Sequence, residues 1–195
     1  MIYVICRGLL RLIYAIIFPL KIVGKENMPK EGGVLLCANH ISLLDPITIG
    51  IKLDRQVKYM AKAELFKVPV LGWIIKKVGA FPVKRGGVSK ESIKTALKTL
   101  RGGNVMGIFP EGTRNSDAGV AKKGAASFAL RSGAAVVPAA IVGHYKLFRR
   151  MTVIYGAPID LSSFDGAGSE SLEAVTDVIM GRIHEMVKTG KPSAN

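Results

Sequence analysis

The sequence predicts a single α/β domain with a central, mostly covered β-sheet flanked by helices and preceded by an apolar N-terminal helix. Three observations predict it. Short apolar runs bounded by glycine, proline and polar residues alternate with longer stretches of helical periodicity. With 195 residues, 49% of them apolar, the chain is long enough to bury a substantial core. No repeat, linker or second composition breaks it, and the only biased stretch is the short tail after Lys188. Net charge is +14, but only 22% of residues are charged and mean hydropathy is +0.30, which excludes a disordered chain.

The elements follow in order. Residues 1–22 read as a membrane-anchor helix, nearly all apolar except for Arg7, Arg11 and Lys21. Their longest uninterrupted apolar run, residues 12–20, is well short of the ~20 needed to span a bilayer. The internal arginines and the lack of a small-x-small site disfavour a cleaved signal peptide. Arg7 and Arg11 share one helical face, so the expectation is a helix lying in the membrane plane with its arginines on anionic headgroups. The rival expectation is a helix packed on the core. Residues 23–195 form the α/β domain.

Val34–Ala38, between Gly32-Gly33 and Asn39-His40, reads as a buried strand. Residues 89–100 read as a helix, with Ile93, Ala96, Leu97 and Leu100 on one stripe and Lys90, Lys94 and Lys98 on the other, stopped by Gly102-Gly103. A strand over 105–109 ends at Pro110, and a helix around Phe128 to Arg131 ends near Gly133. Residues 134–142 form a strand whose Pro138 belongs at an edge or bulge. A short strand over 152–155 and an amphipathic helix over 172–188, ending at Gly190, complete the chain.

Charge is unevenly spread. Residues 52–101 hold thirteen Lys and Arg against three acids, so ten of the fourteen net positive charges lie in this quarter of the chain. Aromatic and aliphatic residues (Tyr59, Leu65, Phe66, Val68, Trp73, Ile74, Ile75) are interleaved with them. That mixture fits an anionic membrane surface better than nucleic acid, which is not expected as a partner. Two cysteines, Cys6 and Cys37, make neither a disulfide framework nor a zinc finger and suit a reducing, cytosolic-side location.

Chemistry concentrates in three places. His40 ends a buried strand and is followed by Asp45-Pro46. Five residues apart, the pair would be about 140° apart on a helix and on opposite faces of a strand. They meet only if the segment turns, and Asp45 as a helix N-cap with Pro46 in the first helical position supplies the turn. A carboxylate on one imidazole nitrogen then leaves the other free to take a proton. The alternative is a capping aspartate beside a surface histidine. The second place is Phe109-Pro110-Glu111-Gly112-Thr113-Arg114, at the carboxyl end of a predicted strand, where α/β sheets bind ligands. Gly112 permits close backbone approach, Thr113 offers a hydroxyl and Arg114 a forked phosphate donor, while Glu111 can bond a ligand hydroxyl or hold the arginine. The third, Phe81-Pro82-Val83-Lys84-Arg85-Gly86-Gly87, sets two cations beside flexible backbone. No P-loop occurs.

In their order and approximate spacing, Asn39-His40-x4-Asp45, Phe81 to Arg85, Phe109 to Arg114 and Val137-Pro138-Ala139-Ala140-Ile141 resemble the four motifs of the glycerolipid acyltransferases, with the nearest likeness to 1-acyl-glycerol-3-phosphate (lysophosphatidic acid) acyltransferases. The resemblance spans roughly residues 20–160. It implies His40 as general base, Asp45 as the residue orienting it, and Lys84, Arg85, Glu111, Gly112, Thr113 and Arg114 around the glycerol phosphate. Lys84 stands where the second motif often carries an acid. The reaction implied is acyl transfer to the sn-2 hydroxyl of lysophosphatidic acid, giving phosphatidic acid. An imidazole titrating near ~6.5 suits such a base. The acyl donor is a thioester, either acyl-coenzyme A or acyl-acyl carrier protein, and no other cofactor or metal is implied. The expected location is the cytoplasmic face of the cell membrane, peripheral or monotopic.

Rival readings remain at this stage. Cys37, three residues before His40, could be acylated first. A metal could sit among His40, Asp45, Glu111 and His144, though no His-Glu-x-x-His spacing occurs. The acceptor could be another lysolipid or an amino-acid lipid, or the chain could be a non-enzymatic basic membrane-binding module.

Overall fold

The computed structural model describes residues 2–83, 90–111, 118–164 and 168–194. Seven strands form one sheet in the order β1-β7-β6-β2-β5-β3-β4, where β1 is Leu20–Val23, β2 Val34–Ala38, β3 Val57–Lys62, β4 Phe81–Val83, β5 Val105–Ile108, β6 Ala135–Val142 and β7 Met151–Tyr155. Every neighbouring pair is parallel except β6 with β7. The helices are α1 (Ile2–Ile17), α2 (Asp45–Gly50), α3 (Leu71–Lys77), α4 (Lys90–Arg101), α5 (Ala118–Ser132) and α6 (Ser169–Thr189).

Strand β2 lies at the centre and is buried throughout, so it reads as a continuous apolar run rather than an alternating one. Leu35 and Cys37 face one layer with Leu97, Leu100, Phe128, Ile179 and Ile183 from α4, α5 and α6. Val34, Leu36 and Ala38 face the other with Ile49, Leu53 and Tyr155. Helix α4 buries Ala96, Leu97 and Leu100 and exposes Lys90, Lys94 and Lys98, as its periodicity requires. Helix α6 ends at Gly190, whose left-handed φ of 67° closes the C-terminus.

Four features differ from the sequence reading. Pro138 lies in an internal strand, not at an edge or bulge. Its carbonyl accepts from the Gly156 N–H at 2.8 Å, just past the end of β7, so its ring nitrogen faces the side where the β7 ladder has stopped and no ladder bond is lost. Strand β1 takes up residues 20–22 of the expected anchor segment and pairs with β7. Strand β3 runs through the cationic region. Asp45 is the first residue of α2, with Leu44 as the N-cap.

Helix α1 is oriented opposite to expectation. Arg7 and Arg11 point at the domain, not at lipid. Arg7 Nη1 donates to the Leu53 carbonyl at 3.1 Å and Arg11 Nε to the Ile51 carbonyl at 2.7 Å. These carbonyls lie at the end of α2, where a short helix leaves acceptors unpaired and favours cations. Tyr14 lies on the same face and is 3% exposed. The outward face carries Val4, Ile5, Leu9, Leu12 and Ile16, each about three-fifths exposed. Nearby in sequence to the lysines of α3, Val68, Val70, Leu71 and Trp73 are exposed as well. No described helix is long and apolar enough to cross a membrane.

Candidate active site

The site begins where β2 ends. Asn39 is buried, and its side-chain amide makes a two-way bond with β6: Nδ2 donates to the Ile141 carbonyl at 3.0 Å, and the Ile141 N–H donates to Oδ1 at 2.8 Å. The side chain thus takes over the ladder at the residue where the backbone of β2 leaves it. That departure frees the segment 40–44 to turn, and the turn carries His40 round to Asp45.

The two side chains meet. His40 Nδ1 lies 2.7 Å from Asp45 Oδ2, with Asp45 fully buried and the imidazole 18% exposed. The same oxygen accepts the backbone N–H groups of Ile41 and Ser42 at 2.6 and 2.7 Å. Asp45 therefore caps the turn before it instead of the helix it begins, so the expected capping function is present but faces backwards. A carboxylate so supplied with donors is an acceptor, which places the imidazole proton on Nδ1 and the lone pair on Nε2. The His40 ring stacks on Phe109, centroids 4.4 Å apart at 22°.

Glu111 comes in from the end of β5. Its Oε2 accepts the His40 backbone N–H at 3.4 Å, and its Oε1 lies 3.4 Å from His184 Nε2 on α6. The structure thus joins His40, Asp45 and Glu111 at the carboxyl edge of adjacent parallel strands. Lys84, Arg85, Gly112, Thr113 and Arg114 lie outside the described residues; Val83 is the last residue of β4, and Glu111 lies in the turn three residues after β5.

The rival chemistries fare differently. Cys37 is fully buried, and burial pushes its thiol far above the ordinary range, away from the reactive thiolate. His144 is exposed, and among the described residues no group of three or more His, Cys, Asp or Glu side chains is placed to hold a metal.

The sequence model of the acyltransferase family matches residues 19–142, which contain the Asn39-to-Asp45 turn, Glu111 and the Pro138 strand. This chain belongs to the acyltransferase family. It is 38% identical to the 1-acyl-sn-glycerol-3-phosphate acyltransferase of Bacillus subtilis over 94% of this chain and 96% of that protein. It is 31% identical to the enzyme of the same name from Borreliella burgdorferi over 65% of this chain and 52% of that one. The crystal structure of the 1-acyl-sn-glycerophosphate acyltransferase of Thermotoga maritima superposes with a TM-score of 0.67 at 26% identity, covering 87% of this chain and 72% of the other.

Several groups around this candidate site escaped the sequence reading. Tyr145 donates to Asp45 Oδ1 at 2.6 Å, and Thr48 lies 2.7 Å from the same phenol oxygen. Tyr145 carries no signal of its own in the sequence, because it is a hundred residues from Asp45 on the loop after β6. Asn39 was legible only as part of a motif. His184 was visible as a histidine on an amphipathic helix, but its approach to Glu111 depends on how α6 crosses the sheet.

Proposed function

We propose that this acyltransferase moves a fatty acyl group from an acyl thioester to the free sn-2 hydroxyl of 1-acyl-sn-glycerol-3-phosphate, giving phosphatidic acid, with His40 as general base and Asp45 as its partner. The observation that carries the reading is the 2.7 Å contact between His40 Nδ1 and a fully buried Asp45 carboxylate at the carboxyl edge of the sheet. The names borne by the Bacillus and Thermotoga relatives support the acceptor.

In this mechanism Nε2 of His40 takes the hydroxyl proton as the oxygen attacks the thioester carbonyl. A C–O bond forms, and the carbonyl electron pair moves onto oxygen. Collapse of the tetrahedral intermediate breaks the C–S bond, and the leaving thiolate takes the proton back from Nε2. Asp45 stabilises the imidazolium in between. The thioester is already activated, so no acyl-enzyme through Cys37 is required. Lys84, Arg85, Thr113 and Arg114 hold the acceptor phosphate, and Gly112 lets backbone approach it. Glu111, bonded to the His40 backbone, links that phosphate site to the base.

Substrate and product both live in a bilayer, and the protein works at an anionic membrane surface, on its cytoplasmic face, as a peripheral enzyme. The exposed apolar face of α1 and the exposed Val68, Val70, Leu71 and Trp73 among lysines support this reading. The test is lipid mass spectrometry of purified protein given lysophosphatidic acid with acyl-coenzyme A and acyl-acyl carrier protein in parallel. Phosphatidic acid from at least one donor is expected. Product only from another lysolipid would move the acceptor, and no acyl transfer with any lysolipid contradicts the reading.

A further inference from the structure

The Asp45 carboxylate has two oxygens with unequal company. Oδ2 accepts three donors, from His40, Ile41 and Ser42, whereas among the described residues Oδ1 has one partner, the Tyr145 hydroxyl at 2.6 Å. We propose that Tyr145 is a positioning residue for the reaction, holding the Asp45 carboxylate in the plane that presents Oδ2 to His40, and that helix α1 is built into the site because it holds Tyr145. The proposal rests on the dyad reading above and extends it to a residue that acts through Asp45.

Four observations carry it. First, the hydroxyls form a chain with one consistent polarity. A phenol has one proton, and Asp45 Oδ1 can only accept, so Tyr145 donates there and accepts from Thr48 Oγ1 at 2.7 Å. Thr48 in turn lies 3.1 Å from the Tyr14 hydroxyl of α1. In this polarity Tyr14 donates to Thr48, Thr48 to Tyr145 and Tyr145 to Asp45, with the Leu44 carbonyl, 3.1 Å from Thr48 Oγ1 and 3.5 Å from the Tyr14 hydroxyl, as a second acceptor beside the relay. Second, burial foremost, then the Asp45 hydrogen bond, raises the Tyr145 phenol far above the ordinary range, so it remains a donor wherever the enzyme works. Third, the ring is clamped from the α1 side. Phe18 makes edge contacts with Tyr14 at 5.7 Å and with Tyr145 at 5.6 Å. Fourth, the backbone of the same loop is tied to α1, the Phe148 N–H donating to the Ile17 carbonyl at 2.8 Å.

The consequence for the base is specific. Without the phenol, Oδ1 is a buried oxygen with no donor, and the carboxylate charge keeps only the donors on Oδ2 to offset it. Charge once shared with the phenol then falls more heavily on the imidazole and favours its protonated form. The acid limb of the rate profile, where the base becomes protonated, should therefore move to higher pH.

The experiment measures kcat, KM for lysophosphatidic acid, and the pH dependence of kcat/KM for wild type, Tyr145→Phe and His40→Ala, each checked for fold by circular dichroism. Substrate ionisation is common to all three and cancels in the comparison. Tyr145→Phe should lose about tenfold in kcat with KM unchanged, and its acid limb should rise by about half a pH unit or more. A kcat within twofold of wild type, or a loss with the acid limb unmoved, overturns the assignment. His40→Ala separates the two layers. Activity retained there contradicts the dyad itself, whereas an inactive His40→Ala beside an unmoved Tyr145→Phe removes only Tyr145. If Tyr145→Phe does not fold, Thr48→Val carries the test. It keeps the phenol but takes away its donor, so a smaller shift of the acid limb in the same direction is expected, and no shift overturns the proposal.

Discussion

At the residue scale, Asp45 brings together four donors that are remote in different ways: the ring of a histidine five residues back, two backbone N–H groups of the turn between, and a phenol from another strand's loop. An amide in its place keeps the volume but offers protons where backbone N–H groups already point. Asp45→Asn should stay folded and lose about a hundredfold or more in kcat, measurable by acyl transfer beside circular dichroism. Cys37 gives the opposite expectation. Its side chain meets only apolar core, so Cys37→Ala should lower the melting temperature while leaving activity within about threefold; inactivity of a folded variant would revive covalent transfer. Asn39→Ala strands both the N–H and the carbonyl of Ile141, and chemical denaturation should show a loss of about 2 kcal/mol or more. The His40–Asp45 pairing was half legible. Spacing showed that a turn was needed and Asp45-Pro46 showed where, but the buried amide that releases the strand at residue 39 is a long-range contact with β6 that no local pattern reveals.

At the scale of elements, α1 shows how an amphipathic reading can be right about the helix and wrong about its facing. Its few polar groups read as a lipid-headgroup face because nothing local shows the unpaired carbonyls of Ile51 and Leu53 that claim them. Two double variants separate the faces. Arg7→Ala with Arg11→Ala should lower thermal stability, since it strips donors from the end of α2. Leu9→Asp with Leu12→Asp should leave stability nearly unchanged and reduce co-sedimentation with anionic vesicles, because both leucines are about 60% exposed. Vesicle binding lost in the arginine pair at unchanged stability would restore the headgroup reading. Among the strands, β2, β5 and β7 were legible because they are short runs dominated by apolar residues. Strand β3 was not, since its sequence Val-Lys-Tyr-Met-Ala-Lys interleaves cations with the residues it half-buries. Strand β1 is four residues long and adjoins an apolar helix, so periodicity could not separate them. Pro138 shows a rule about edges yielding to register: an internal strand tolerates proline where its neighbour has already ended.

At the scale of the molecule, parallel strands bring segments far apart in sequence to one edge of the sheet, which is why His40 and Glu111, 71 residues apart, touch there. The α/β class and the family were legible, the first from alternating apolar runs and amphipathic helices, the second from motifs in the right order. The wiring between layers was not, because Tyr145, Thr48 and Tyr14 belong to three separate elements that only the folded chain unites. The positive charge is likewise less free than its count suggests: Arg55 is spent bridging the carbonyls of Pro29, Gly32 and Gly103. Binding to anionic vesicles should accordingly weaken as salt rises from 0.1 to 0.5 M without being abolished, apolar contact persisting after the charges are screened; complete release would mark a purely electrostatic binder. The most direct test of His40 as general base is the rate of phosphatidic acid formation by folded His40→Ala at saturating lysophosphatidic acid and acyl donor. A fall of about a hundredfold or more at unchanged circular dichroism is the predicted result, and a rate within about tenfold of wild type would contradict general-base catalysis by this histidine.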